Sequence, residues 1–109
     1  MLGGSGNDTY VVDDAGDKIV ETTTTISGID AGGVDTVLSN INYTLTSFVE
    51  NLTLTGASAN GTGNALNNTL TGNGGNNTLN GLGGNDTLNG GAGNDVLNGG
   101  AGIDTMTGG

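Results

Sequence analysis

A nine-residue repeat fills the second half of the chain and restricts its fold more than any other feature. The units end at residue 107 and run back in register to residue 63. Their first six positions are rich in Gly, Asn, Asp and Ala, which favour turns, and their seventh is Thr or Val, which favours strands. Each unit is therefore predicted to form a turn of about six residues and a strand of about three. The eighth positions are all apolar: Leu70, Leu79, Leu88, Leu97 and Met106.

Two consecutive units make one coil, in which a strand runs across, a turn reverses it and a second strand returns. Stacked coils pair their strands in parallel and point the apolar ladder inward as a thin core. Turns that are two units apart then lie on top of each other, and consecutive turns lie on opposite edges. The pattern predicts an all-β parallel solenoid with little helix.

The first half of the chain is less regular. Residues 3–11 form one good repeat unit with Tyr10 in the inward position. We predict two portions, a less regular N-terminal one at 1–62 and a regular one at 63–109, and a long loop at 22–33. Residues 12–56 continue the roll or cap it, and we favour continuation with longer coils. Candidate strands lie at 10–12, 18–21, 34–39, 43–45 and 49–55.

The charge of the chain is one-sided. Lys18 is the only cation against eleven carboxylates, so the net charge is −10. Such a chain repels nucleic acid and anionic membranes, and cations are its natural partners. No apolar run is long enough to insert into a membrane. No signal peptide is visible, and the chain starts and stops within repeat units, as a segment of a longer protein would.

Other interpretations of this composition are weaker. A Gly- and Asn-rich disordered linker would not keep an apolar residue at every ninth position. The absence of His and Cys excludes the common catalytic triads and transition-metal sites. Nothing in the sequence indicates that Glu50 and Asp35 approach each other as a catalytic acid–base pair, so we expect no enzyme activity in this segment. The scattered acids are Asp13, Asp14, Asp17, Glu21, Asp30 and Asp35. Most of these carboxylates are expected to be solvated, and Asp17 and Asp35 are the best candidates for contact with a metal.

The units at 81–107, with Asp86, Asp95 and Asp104 in register, resemble the RTX, or haemolysin-type, calcium-binding repeats of secreted bacterial proteins. The unit at 3–11 is similar to them, with Asp8 at the acidic position. The resemblance implies a right-handed parallel β-roll with Ca²⁺ in the turns. It also implies export through a type I secretion channel and an extracellular or cell-surface location.

The resemblance further implies that each calcium ion lies between two turns that are two repeat units apart, bound by backbone carbonyls and by the acidic side chains. The best site implied in this chain consists of Leu82, Gly84, Asp86, Gly99, Ala101 and Asp104. A second site, in which Asn replaces one Asp, consists of Asn73, Gly75, Asn77, Gly90, Ala92 and Asp95. A third and weaker site consists of Asn64, Leu66, Asn68, Gly81, Gly83 and Asp86.

Three details of these sites stay open at this stage. Asn68 and Asn77 have an alternative role, in which they hydrogen-bond across the turns without an ion. Asp95 could also belong to a further calcium site, which the unit that begins at Gly108 would complete. The partner turn of Asp8 is expected upstream of residue 1.

We therefore expect a non-catalytic, calcium-dependent folding module of a secreted protein. The first alternative is a structural element that stacks end to end with other copies when calcium is present. The second is a C-terminal appendage of a larger enzyme, whose catalytic region would lie outside these residues.

Overall fold

The computed structural model describes residues 6–17, 33–56 and 59–109. Within these residues there are ten strands and no helix. Because no helix occurs there, no described segment can cross a membrane as a helix. The strands are β1 Thr9–Val12, β2 Thr36–Ser39, β3 Tyr43–Thr44, β4 Asn51–Leu54, β5 Gly61–Thr62, β6 Thr69–Asn73, β7 Thr78–Asn80, β8 Thr87–Gly91, β9 Val96–Asn98 and β10 Thr105–Thr107.

The strands form two parallel sheets, as the repeat predicts. One sheet has the order β1-β2-β4-β6-β8-β10 and the other has the order β3-β5-β7-β9. Leu70 pairs with Leu88, and Leu88 pairs with Met106, so each step across the sheet advances the chain by one coil of two repeat units. The prediction of an all-β parallel solenoid is confirmed.

The core is a thin layer of side chains between the two sheets. Leu70, Leu79 and Leu88 are completely buried, and β1 and β4 each bury two apolar side chains at the other end of this layer. Leu97 is only partly buried and Met106 is 52% exposed, because no coil packs on the outer side of the last one in this structure. The predicted inward row of apolar residues is therefore confirmed for its first three members, and its last member is exposed to solvent.

The described part of residues 12–56 joins the same two sheets, as we favoured, but the expectation of longer coils holds for only one of its first two coils. Thr9 pairs with Thr36 and Thr36 pairs with Asn51, so the first two coils are 27 and 15 residues long. The second coil is shorter than the regular coils because its turn from β2 to β3 has fewer residues. There the buried Ser39 closes the turn, since its hydroxyl donates to the Ile41 carbonyl at 2.9 Å.

Four of the five predicted strand regions contain strands, namely those at 10–12, 34–39, 43–45 and 49–55. The alternating burial of Leu52 and Leu54 with their neighbours is confirmed on β4. The fifth region, at 18–21, lies outside the described residues. So does the predicted loop at 22–33, apart from its last residue.

Candidate metal sites

The turns of the repeat region stack on two edges of the solenoid. We call the turns at 81–86, 90–95 and 99–104, which end in Asp, the aspartate turns. We call the turns at 63–68 and 72–77, which end in Asn, the asparagine turns. Since each coil has two units, turns 63–68, 81–86 and 99–104 share one edge, and turns 72–77 and 90–95 share the other.

One carboxylate oxygen of each aspartate turn is bound by the preceding coil. The backbone N–H of Asp86 donates to Asp104 Oδ1 at 2.9 Å, and the N–H of Asn68 donates to Asp86 Oδ1 at 2.8 Å. On the other edge, the N–H of Asn77 donates to Asp95 Oδ1 at 2.8 Å. These bonds hold the carboxylates in a column that runs along the solenoid.

The second oxygen of two of these carboxylates has no partner. Asp86 Oδ2 and Asp95 Oδ2 are buried and accept no hydrogen bond from the described residues. Asp86 is only 1% exposed, so water does not solvate its carboxylate freely. A buried anionic oxygen without a partner is costly, and a cation at that oxygen would remove the cost.

A carbonyl oxygen lies at the same place. A Cβ built at Gly81 would overlap Asp86 Oδ2 and would lie 2.6 Å from the Gly99 carbonyl oxygen. Gly90 and Gly99 cradle the carboxylates of Asp95 and Asp104 in the same way. Glycine at the first position of the repeat therefore keeps open a space that carboxylate and carbonyl oxygens surround.

Two other predicted carbonyl ligands also face the neighbouring coil. A Cβ at Gly100 would collide with the Leu82 carbonyl, and a Cβ at Gly102 would collide with the Gly84 carbonyl. The Leu82 carbonyl also accepts the Ala101 N–H at 2.9 Å, which leaves it a second lone pair. The predicted residues of the best site are thus brought together by adjacent turns. No group of three acidic side chains that could hold a metal occurs among the described residues, so a metal held here would need carbonyl ligands as well. This oxygen-rich set suits a hard cation such as calcium.

Leu82 has the backbone conformation that the repeat normally assigns to glycine. Its φ is 77°, close to the 88° of Gly91 and the 93° of Gly100 at the same position of the next two units. A left-handed conformation is strained for a side chain such as leucine. The side chain of Leu82 is 45% exposed, so it adds little packing in return.

In the stack of carboxylates, the charged form of Asp86 is energetically disfavoured. Burial raises the pKa of its carboxyl, and the negative charge of Asp104 raises it further. The hydrogen bond from the Asn68 N–H acts in the opposite direction but does not cancel these effects. The first edge therefore disfavours the ionised carboxylate when no cation is bound.

The asparagine turn at 63–68 stacks on the preceding coil without a charged side chain. Asn64 Nδ2 donates to the carbonyls of Val49 and Thr46 at 2.7 and 2.8 Å. Asn68 Nδ2 donates to the Glu50 carbonyl at 3.1 Å and to Asn64 Oδ1 at 3.0 Å. The carbonyls that face this turn are thus bound by amide protons.

The asparagine turn at 72–77 repeats this arrangement on the other edge. Asn77 Nδ2 donates to the Ala59 carbonyl at 2.6 Å, and Asn73 Nδ2 donates to the Gly56 carbonyl. The alternative in which Asn68 and Asn77 hydrogen-bond across the turns agrees with these contacts. Those bonds point to the preceding coil, whereas the second and third implied sites face the following coil, so both sites stay predictions.

Asp8 lies against a turn downstream in the chain, and the partner turn expected upstream of residue 1 stays a prediction. Its backbone N–H donates to Asp35 Oδ1 at 2.8 Å, which is the contact that Asp86 makes with Asp104. The signal for this pairing was present in the sequence. Gly-X-Asp-Thr occurs at 6–9 and again at 33–36, a separation of 27 residues, which is three repeat units.

The other scattered acids give a mixed outcome. Asp13 and Asp14 are exposed, and their N–H groups donate to Asp17 Oδ2 at 3.2 and 3.3 Å. Asp17 therefore closes a local turn, and after burial its charge is the second cause that raises the pKa of Tyr43. Asp35 is completely buried, and its N–H donates to Glu50 Oε2 at 2.9 Å. Glu21 and Asp30 lie outside the described residues.

Comparison with known proteins identifies the repeat. A family model described as the RTX calcium-binding nonapeptide repeat matches residues 62–97 and 90–109, with four copies. No curated protein matches the chain significantly, and no solved structure does so either.

Proposed function

Residues 62–109 belong to the family of RTX calcium-binding nonapeptide repeats, and from this premise we propose that the chain is a non-catalytic module whose repeat coils fold when calcium binds. The main support is the pair of buried carboxylate oxygens without a partner, Asp86 Oδ2 and Asp95 Oδ2. Each lies beside a first-position glycine, and at Gly81 the Gly99 carbonyl oxygen lies at the same place as a further ligand for a cation.

The mechanism follows from the stacking of like charges. Adjacent coils bring the carboxylates of Asp86 and Asp104 to about the spacing of neighbouring strands, roughly 5 Å. Without a cation these charges repel each other, and the many glycines make ordering entropically costly. Asp86, Asp104 and backbone carbonyls of both turns would hold the calcium ion, whose positive charge would offset this repulsion, so the free energy of binding would become free energy of folding.

The same mechanism supports a location outside the cell. Extracellular calcium-binding modules typically have dissociation constants of about 10⁻⁴–10⁻³ M. Free calcium in the cytosol is far lower, so the repeat coils would stay unfolded until export and fold afterwards. We therefore propose that the module belongs to a bacterial protein secreted in an unfolded state through a type I channel.

Far-UV circular dichroism during a calcium titration tests the proposal, with magnesium at equal ionic strength as the control. We expect β-structure to form cooperatively with calcium and to be lost in the variant that combines Asp86→Ala with Asp104→Ala. The matched control combines Asp13→Ala with Asp14→Ala, which removes two exposed acids and should retain the transition. Full calcium-dependent folding of the Asp86 and Asp104 variant would refute the mechanism.

End-to-end assembly is a second candidate function, favoured by the exposed last coil. The outer edges of β9 and β10 are unpaired in this structure, and Ile103 and Met106 are 82% and 52% exposed. An unpaired strand edge is a template for another strand. If copies stack, the particle size measured by light scattering should grow with calcium, and a Met106→Lys variant should stay monomeric. A constant monomer size in calcium would leave the folding module as the only function.

A further inference from the structure

We propose that the outer face of the six-stranded sheet binds ice, because it presents side chains at the spacing of a water crystal. We call this surface the threonine face. It consists of the outward side chains of β4, β6, β8 and β10: Asn51, Thr53, Thr69, Thr71, Thr87, Asn89, Thr105 and Thr107. The face contains none of the residues of the candidate metal sites, and ice binding would be a function in addition to calcium-dependent folding.

Pairing in register aligns these side chains in two rows that cross four strands. The rows are Asn51, Thr69, Thr87 and Thr105, and Thr53, Thr71, Asn89 and Thr107. Neighbouring strands are about 4.8 Å apart, and residues two positions apart on a strand are about 6.6 Å apart. The face is therefore a rectangular lattice of side chains, and water oxygens on the prism face of hexagonal ice repeat at distances close to these two spacings.

The lattice covers the part of the sheet in which the coils have equal length. The strands β4, β6, β8 and β10 are paired at the two-unit period of the repeat, so their outward residues stay in line. On β1 and β2, the aliphatic residues Val11 and Leu38 take the place of the second row. The threonine face therefore ends at β4.

Threonine suits a surface that orders water. Its β-branched side chain is stiff at χ1, so each threonine presents its hydroxyl and methyl groups in a restricted set of orientations. Thr69, Thr87, Thr105 and Thr107 are exposed, so their hydroxyls meet water. Each hydroxyl can both donate and accept a hydrogen bond, as water in a crystal does. The methyl groups between the hydroxyls favour the release of less ordered water when ice is bound.

The face is neutral although the chain has a net charge of −10. All eight side chains are Thr or Asn, whereas the acids of the repeat units lie in the turns: Asp86, Asp95 and Asp104. A neutral face matches a neutral lattice, because a charged group would order the water around itself instead. Polysaccharide is the less favoured ligand, since sugar rings commonly stack on aromatic side chains and no aromatic residue follows Phe48.

Inhibition of ice recrystallisation by the full chain tests the proposal. The samples contain saturating calcium, and circular dichroism before freezing shows that each protein is folded, so the result does not depend on whether folding requires calcium. We expect the unaltered chain to inhibit recrystallisation. Thr87→Tyr places a bulky ring near the centre of the lattice, so this variant should need at least about tenfold more protein for the same inhibition.

Thr78→Tyr is the matched control. Thr78 has the same position in its repeat unit as Thr87 and is also exposed, but it lies on β7 in the four-stranded sheet. The control should inhibit recrystallisation as strongly as the unaltered chain. Should Thr87→Tyr fail to fold, Thr71→Tyr disturbs the second row of the same lattice and gives the same test.

Three results would overturn the inference: no inhibition by the folded unaltered chain, equal inhibition by the unaltered chain and folded Thr87→Tyr, or an equal loss in Thr87→Tyr and Thr78→Tyr. Binding to insoluble cellulose that Thr87→Tyr abolishes, without any effect of the chain on ice, would assign the face to polysaccharide instead.

Discussion

The aspartate turns and the asparagine turns occupy equivalent places in the same solenoid, yet they bind the neighbouring coil by different means. In the asparagine turns, amide groups donate to carbonyls of the preceding coil, as Asn64 does to Thr46 and Val49. In the aspartate turns, the same space contains carboxylate oxygens, and Asp86 Oδ2 and Asp95 Oδ2 have no donor. An amide can satisfy carbonyls by itself, whereas a carboxylate needs a cation to do so.

The backbone of the two kinds of turn differs as well. Leu82, at the second position of an aspartate turn, has a left-handed φ of 77°. Asn64 and Asn73, at the second position of the asparagine turns, are not left-handed. Their Oδ1 atoms instead accept the N–H two residues later, at 2.9 Å for Asn64 and 2.8 Å for Asn73. This local bond is characteristic of asparagine in turns and fixes the turn without glycine.

We infer from this comparison that the choice between an amide and a carboxylate decides whether a coil depends on metal. Asn68 Nδ2 takes the place of Asp86 Oδ1 and donates to the Glu50 carbonyl of the preceding coil. Asn68 Oδ1 takes the place of Asp86 Oδ2 and accepts the Asn64 N–H. The coil between the asparagine turns should therefore be ordered without calcium and provide a surface on which the aspartate turns fold when calcium is added.

The largest expected effect comes from filling a metal cradle. Gly81→Ala places a Cβ against Asp86 Oδ2 and the Gly99 carbonyl, so it should abolish calcium-induced folding of the last coils and cost about 2–4 kcal/mol. Gly74→Ala is the matched control, since a Cβ there lies in open space and should change stability by less than about 1 kcal/mol. Calorimetric titration with calcium measures the calcium affinity of both variants. Equal calcium affinities for the two variants would contradict the location of the site.

Converting an asparagine turn tests the comparison from the other side. Asn68→Asp removes the donor to the Glu50 carbonyl and introduces a buried charge, so in chelator it should destabilise the middle coil by about 2–4 kcal/mol. Calcium should restore part of this loss. Asn67→Asp keeps the acceptor for the Asn85 N–H on an exposed side chain and serves as the control. Denaturant unfolding in chelator would show whether the two substitutions differ as expected.

Low pH, like calcium, should stabilise the folded aspartate turns. The pKa of Asp86 is raised in the folded state, so protonation stabilises the fold. This contribution is fully present below the unfolded pKa of about 3.9 and is lost as the pH rises through the raised folded pKa. Circular dichroism in chelator should therefore show more β-structure near that acidic pH than at neutral pH. Asp86→Asn should reduce the difference, and an increase of β-structure with pH would contradict the sign.

The smallest effect is expected at the strained leucine. Leu82→Gly relieves a left-handed conformation worth about 1–2 kcal/mol, offset in part by the flexibility of glycine, so a net gain of about 0.5–1 kcal/mol is expected. Leu66→Gly, in an asparagine turn without left-handed φ at that position, should give no gain. Thermal unfolding in saturating calcium compares the two, and a lower melting temperature for Leu82→Gly would show that the leucine is not strained.

Much of the fold could be predicted because the core of the repeat coils takes one apolar residue from each strand. An apolar residue at every ninth position allows only one stacking register, and Leu70, Leu79 and Leu88 lie where the pattern places them. The N-terminal coils were harder to predict, because one coil is lengthened to 27 residues and the next is shortened to 15. A search at the two-unit period alone therefore misses the pairing of Asp8 with Asp35.

The stacking of the candidate turns was predictable from the sequence, but the partners of their side chains were not. The repeat brings Asp86 and Asp104 together because both follow the same strand period. Whether Asn68 would bind an ion or a carbonyl could not be decided from the sequence. That choice depends on the direction of its amide, and the Glu50 carbonyl that it meets belongs to a coil without repeat character.

Amide hydrogen exchange, measured residue by residue in calcium and in chelator, tests the central claim most directly. The Leu70 amide, next to the asparagine turns, should be protected in both conditions, and the Leu88 and Met106 amides should be protected in calcium alone. Uniform protection in chelator would show that the core holds the aspartate turns without metal. Uniform loss of protection would show that the asparagine turns depend on calcium as well, and either result would contradict the account.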